Sequence, residues 1–214
     1  MIFKNRLEAG QKLAEKLIKY KDQKNILVIG LPRGGLILAQ EIAKKINSSL
    51  DIVVPRKIGA PNNPEFAIGA ITEEGEPFLN EDIIDYYKIS KEYIAQEIAQ
   101  EKKEAQRRLK VYRGEKEAIS YKDKIIILVD DGIATGSTML AALAFLKKKK
   151  VKKIIVAVPV LARDTIKIIE KEVEELIYLE APLFFGAIGA FYKEFDQTTD
   201  QEVIAIMKNY NVPK

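Results

Sequence analysis

Two adjacent carboxylates, Asp130 and Asp131, close an aliphatic run that begins at Ile126, and Gly132 and Ile133 lead from them into Ala134-Thr135-Gly136-Ser137-Thr138. Ionised carboxylates only accept hydrogen bonds and repel anions, so the pair suits the vicinal hydroxyls of a sugar and not a phosphate. The run that follows suits the phosphate. The Thr135, Ser137 and Thr138 hydroxyls, with the free backbone N–H groups of a helix start, bind a monoester, and Gly136 allows close backbone approach. Diol acceptors a few residues from a phosphate cradle describe a ribose 5-phosphate site. Turn and cap chemistry explains Asp131, Gly132 and Ser137 one at a time, but not two carboxylates together with the whole loop.

Three further groups carry chemistry. Leu31-Pro32-Arg33-Gly34-Gly35 joins the apolar run Asn25 to Gly30 to the helical stretch Leu36 to Ile46 and offers a fixed cation beside two glycines that expose backbone N–H groups to an anion. It is not a dinucleotide fingerprint, which needs Gly where Pro32 stands, nor a Walker loop, which needs Lys then Ser/Thr where Leu36 and Ile37 stand. Arg56 and Lys57 open a stretch to Phe66 whose Gly59, Pro61, Asn62, Asn63 and Pro64 bar a helix through most of its length. A long basic loop of this kind suits a lid. Finally, Phe184, Phe185, Phe191 and Tyr192 lie among small residues, which fits either core packing or a platform for a stacked nucleobase.

The stretch IILVDDGIATGST resembles the signature of type I phosphoribosyltransferases, which bind 5-phosphoribosyl 1-pyrophosphate (PRPP). With RKIGAPNNPEFAIGAI beside it, the chain is similar to a branch of predicted phosphoribosyltransferases whose acceptor is unassigned. The resemblance implies transfer of the phosphoribosyl group to a nitrogen acceptor, a nucleobase among the candidates, with release of pyrophosphate. It places Asp130, Asp131, Gly132, Ala134, Thr135, Gly136, Ser137 and Thr138 on the ribose and its 5-phosphate. Arg33, Gly34, Gly35, Arg56 and Lys57 would meet the pyrophosphate, and Phe184, Phe185, Phe191 and Tyr192 the acceptor. Lys57, Arg33, Asp130 and Asp131 are the implied catalytic groups, and Mg²⁺ the implied cofactor, carried by PRPP and not bound directly by protein. Ala134 stands where the 6-oxopurine enzymes have a third Asp, so in this loop the chain resembles adenine or orotate enzymes instead. A PRPP-sensing regulatory or RNA-binding protein without turnover is the alternative. A PRPP-making synthetase would need more chain for its ATP domain.

To position these groups, alternating strands and helices must build an α/β fold: an open, mostly parallel twisted sheet with helices on both faces, binding ligands at the strand C-terminal edge. The 214 residues suit one domain, 1–214. Strands are expected at Asn25 to Gly30, Leu50 to Pro55, Ala67 to Thr72, Ile126 to Val129, Ile154 to Val160 and Glu175 to Leu179. Arg6 to Tyr20 reads as an amphipathic packing helix without chemistry. Glu81 to Arg113, within an insertion at 80–118, reads as a charged helical region. It is longer than a crossover needs, suiting packing on its own domain, a flap or a dimerisation arm, so a homodimer stays open. Residues 181–214 are expected to form a small hood and a closing helix from Thr199 to Tyr210.

Composition narrows the chemistry further. With no His and no Cys, imidazole bases, catalytic triads, thiolates, disulfides and zinc ribbons are excluded. A cytoplasmic setting is expected, since the start carries charge from Lys4 onward without a signal-peptide apolar region and no run is long enough for a membrane span. A net charge of +4 is too mild to imply nucleic acid. The basic run Lys147 to Lys153 is expected at the sheet edge opposite the ligands, complementing a helix C-terminus.

Overall fold

Five strands form one parallel sheet, and both faces are covered because consecutive residues of its central strands are apolar. In the computed structural model, which describes residues 1–116 and 119–210, these strands are β1 (Ile26–Gly30), β2 (Ser49–Ile52), β6 (Ile125–Val129), β7 (Lys153–Val160) and β8 (Glu175–Glu180). Their order is β2-β1-β6-β7-β8, so the chain leaves β1 in one direction and β6 in the other. Val28, Ile127 and Val129 face a core shared with helices α1 (Arg6–Lys16) and α2 (Gly34–Ile46). Leu27, Ile29, Ile126 and Leu128 face the opposite core, shared with α5 (Ser137–Lys148) and α6 (Arg163–Glu170). The register sets Gly30 beside Val129, which brings the loops after β1 and β6 together at the point where strand order reverses.

The region between β2 and β6 departs from expectation. Arg56 to Phe66 is not an irregular loop: Arg56–Ala60 is β3 and Asn63–Ile71 is β4, paired antiparallel. Pro61 and Asn62 supply the tight turn, Asn62 taking the left-handed conformation at φ 63°. Gly59 is required there because a Cβ would lie 2.7 Å from the Pro64 backbone. With β5 (Phe78–Leu79) the hairpin makes a second, three-stranded sheet. The expected strand Ala67 to Thr72 therefore belongs to that sheet and is not a member of the parallel sheet that holds β6. The hairpin has its own apolar core, in which Ile58, Ile68 and Ile71 meet Ile84, Ile89 and Ile94.

The charged helical region is two helices, α3 (Glu81–Tyr86) and α4 (Lys91–Arg113). They part where Lys88 turns left-handed (φ 52°) and the Ser90 hydroxyl caps α4 by accepting the Tyr93 N–H. Helix α4 reaches from the hairpin to β2. Tyr93 donates to the Gly59 carbonyl (3.1 Å), and Arg113 meets the buried Asp51 carboxylate (3.1 Å). The ends of the expected 80–118 and 181–214 regions lie outside the described residues. Helix α7 (Asp200–Asn209), closed by a Thr199–Glu202 capping box, supplies the expected last helix. Among the described residues, no helix is long and apolar enough to cross a membrane.

The basic run lies where α5 ends and β7 begins, away from the strand C-terminal edge. Four of its six lysines are paired locally: Lys147 with Glu172, Lys148 with Glu76, Lys149 with Glu74 and Lys153 with Glu175.

Candidate active site at the sheet switch point

Strand β6 ends at Val129, and the chain then makes a loop tied down on both sides. The Asp131 N–H donates to Asp130 Oδ1 (2.8 Å), the Ile133 N–H to the Val160 carbonyl (3.0 Å) and the Ala162 N–H to the Ile133 carbonyl (2.9 Å). Gly136 then turns left-handed (φ 82°) and becomes the N-cap of α5. Its lack of a Cβ is what lets the chain enter the helix in that conformation. The Thr135 and Ser137 hydroxyls lie 3.4 Å apart at this helix start, beside the first-turn N–H groups that have no carbonyl to bind within the helix. A cavity of about 110 Å³ opens here, lined by Asp130, residues 132–136, Thr138, Met139 and Ile188, with Lys57 reaching into it from β3.

The loop after β1 closes against the acid pair. Leu31 donates its N–H to the Val129 carbonyl (2.9 Å), and the Pro32–Arg33 peptide is cis. A Cβ on Gly35 would lie 2.8 Å from both Asp130 Cα and the Val129 carbonyl oxygen. One on Gly34 would overlap Asp131 Oδ2 at 2.1 Å. Both glycines are thus demanded by close approach of the two loops, as well as by any anion. Arg33 stands at the start of α2 with Nη1 3.6 Å from Asp200 Oδ1.

The basic pair is divided by strand alternation. Lys57 lines the cavity, while Arg56 turns away and its Nε binds Glu101 Oε2 on α4 at 2.6 Å. The aromatic group is divided as well. Phe184 is 91% exposed, Phe185 and Phe191 pair at 5.4 Å, and Tyr192 is buried with its hydroxyl donating to the Asp131 carbonyl (2.6 Å). Tyr192 therefore supports the acid pair and does not offer a free ring to a ligand.

Sequence reasoning missed Arg6. The residue opens α1, and its Nε donates to Asp131 Oδ2 at 2.7 Å. It arrives there because the chain start pairs with the segment before α7: the Phe3 N–H donates to the Phe191 carbonyl (2.8 Å), and the Lys193 N–H to the Phe3 carbonyl (2.9 Å). Only the strength of the α1 amphipathic pattern was visible in sequence, and it says nothing about a polar contact 125 residues away.

Electrostatically the acid pair is poised. Burial, followed by the neighbouring Asp131 carboxylate, pushes Asp130 well above the usual carboxylate range. Burial raises Asp131 too, opposed by the Arg6 guanidinium. Ionised carboxylates in such a place gain from hydroxyl donors and from developing positive charge. Among the described residues, no three His, Cys, Asp or Glu side chains come together to hold a metal ion.

Comparison with known proteins agrees with this geometry. The profile of the family described as "Phosphoribosyl transferase domain" matches residues 1–193. A crystal structure of TT1426 from Thermus thermophilus superposes with a TM-score of 0.81 at 37% identity, covering 97% of this chain and 98% of that one. A Mycobacterium tuberculosis protein named "Putative phosphoribosyl transferase Rv0571c" is 36% identical over 208 residues, 96% of this chain. The chain spans about half, 46%, of that relative's length. A hypoxanthine-guanine phosphoribosyltransferase from Bacillus anthracis shares the fold alone, with a TM-score of 0.50 at 15% identity over 91% of this chain and 92% of that one. With an acid pair, a helix-start cradle and a glycine-bounded loop meeting at one strand edge, and with the family profile matching residues 1–193, the chain belongs to the phosphoribosyl transferase domain family.

Proposed function

We propose that the protein transfers the 5-phosphoribosyl group of PRPP to a nitrogen acceptor and releases pyrophosphate. The observation that carries this reading is the cavity in which Lys57 faces Asp130 and the 132–138 cradle, with the Arg33 loop packed against the same acid pair. Backbone N–H groups and hydroxyls at 135–138 would hold the 5-phosphate, far from the reacting carbon, supplying binding energy that positions the sugar. Asp130 and Asp131 would accept from the ribose hydroxyls and stabilise positive charge as the bond from the sugar's C1 to pyrophosphate breaks and the bond to nitrogen forms. Lys57 and Arg33 would neutralise the departing pyrophosphate.

Mg²⁺ fits this donor set. It prefers oxygen ligands and works with few protein carboxylates when phosphate oxygens are present. When bound through the oxygens of PRPP it would add charge neutralisation at the leaving group. Phe191, which pairs with Phe185, shares the 3₁₀ turn Ile188–Phe191 with the cavity-lining Ile188, and this pair would be the apolar surface offered to a flat acceptor. No side chain at position 134 can take a proton from that acceptor, because Ala134 stands there.

PRPP with Mg²⁺ is expected to raise the melting temperature, and Asp130→Asn with Asp131→Asn to remove most of the shift. Equal shifts in mutant and wild type would remove these carboxylates from the site. A pyrophosphate-release screen across nucleobases and amines then identifies the acceptor, and stabilisation without turnover on any acceptor would favour a PRPP-binding regulator instead.

A further inference from the structure

Asp131 is gripped from two sides by a closed ring of contacts. Arg6 Nε holds Asp131 Oδ2 (2.7 Å), and Arg6 Nη1 donates to the Asp196 carbonyl (2.6 Å). The guanidinium lies 3.8 Å above the Phe195 ring, and Phe195 stacks on Tyr192 with centroids 4.9 Å apart. The Tyr192 hydroxyl returns to the Asp131 carbonyl (2.6 Å), closing the ring. On the other side stands Gly34, where even a methyl group would overlap Asp131 Oδ2.

The hydrogen bonds divide the four carboxylate oxygens evenly. Asp130 Oδ1 is committed to the Asp131 N–H and Asp131 Oδ2 to Arg6. Among the described residues, no hydrogen bond from another residue's side chain or loop is made to Asp130 Oδ2 or Asp131 Oδ1. Two adjacent carboxylates with one free oxygen each match two adjacent hydroxyls, provided both stay ionised and neither side chain rotates. Without a cation, burial and mutual repulsion would favour a protonated carboxyl, which donates where an acceptor is needed.

We propose that Arg6 is a positioning residue for ribose: it fixes the Asp131 carboxylate so that one free oxygen on each of Asp130 and Asp131 receives the vicinal diol. This rests on the ribose 5-phosphate reading of the site. Arg6 would act through Asp131, and the salt bridge between them is only 11% and 13% exposed at its two side chains, shielded enough to hold a fixed geometry.

The test compares two ligands that share a five-membered ring and a phosphate: ribose 5-phosphate and tetrahydrofurfuryl phosphate, which lacks the hydroxyls. Arg6→Gln is expected to weaken ribose 5-phosphate about tenfold or more, the scale of a charged hydrogen bond, and the hydroxyl-free ligand less than twofold. Arg6→Lys, which keeps the charge and the fold but not the guanidinium fork, should recover part of the loss. In a double-mutant cycle, Arg6→Gln should add little once Asp131→Asn is present. Equal losses for both ligands in the Gln and Lys variants, or effects additive with Asp131→Asn, would overturn the assignment. A wild-type protein that binds both ligands equally would overturn instead the diol reading on which it rests.

Discussion

Lys57 and its neighbour show how strand geometry assigns chemistry to single residues. Arg56 and Lys57 are adjacent cations, but successive side chains of a strand face opposite ways, so Arg56 joins Glu101 on α4 and Lys57 alone reaches the cavity. A cation that acts only on departing pyrophosphate cannot hold a ligand that has none. Lys57→Ala is therefore expected to lower turnover at least tenfold while ribose 5-phosphate affinity stays within about twofold, read from steady-state rates and direct titration. Equal losses in the two measurements would return Lys57 to the role of a general anion contact. The acid pair and the cradle were legible from sequence because diol acceptors and phosphate donors are contiguous between Asp130 and Thr138. Arg6 was not, since a salt bridge across 125 residues leaves no local pattern.

At the scale of elements, the site exists because β1 and β6 are neighbours whose following helices leave toward opposite faces. That arrangement forces the start of α2 against the end of β6, and Gly35 is the contact. Its missing Cβ would meet backbone on the Val129–Asp130 side, so no side-chain rotation relieves the clash. Gly35→Ala is expected to cost about 1–3 kcal/mol of stability, as overpacking does, and to abolish stabilisation by PRPP; urea unfolding and thermal shift measure the two effects. Unchanged stability would show that the loops separate more easily than their packing suggests. The parallel strands were legible as aliphatic runs between helical stretches. The hairpin was not, because Gly59, Pro61 and Pro64 signal irregular chain when read singly. They permit a strand here because Pro61 falls in the turn, Gly59 makes room for the Pro64 backbone, and pairing with β4 supplies the remaining order.

At the scale of the whole molecule, ion pairs fasten elements that are distant in sequence. In the basic run after α5, Lys147, Lys148, Lys149 and Lys153 pair with Glu172, Glu76, Glu74 and Glu175 and fasten elements at the edge away from the site. Glu175, at the start of β8, is the most heavily engaged of these acids. Lys19 and Tyr20 from the 3₁₀ turn after α1 and Lys153 from β7 all donate to it, so one carboxylate joins the chain start to the last two strands of the sheet. Burial alone would raise its pKa, but these donors outweigh burial and bring it down to about 2. A carboxylate held below its unfolded value stabilises the fold fully above the ordinary range near 4.5, and that contribution disappears as pH falls from there toward 2. Glu175→Gln removes this acid-sensitive part. The variant should melt lower than wild type at pH 7, and the gap should narrow as pH falls from 5 to 3, because the wild type loses by protonation what the variant already lacks. Melting curves at stepped pH measure the gap directly. A gap that is constant or that widens toward acid would mean that Glu175 contributes by packing and hydrogen bonding alone, and that the charge of this junction does not hold β8 to the sheet.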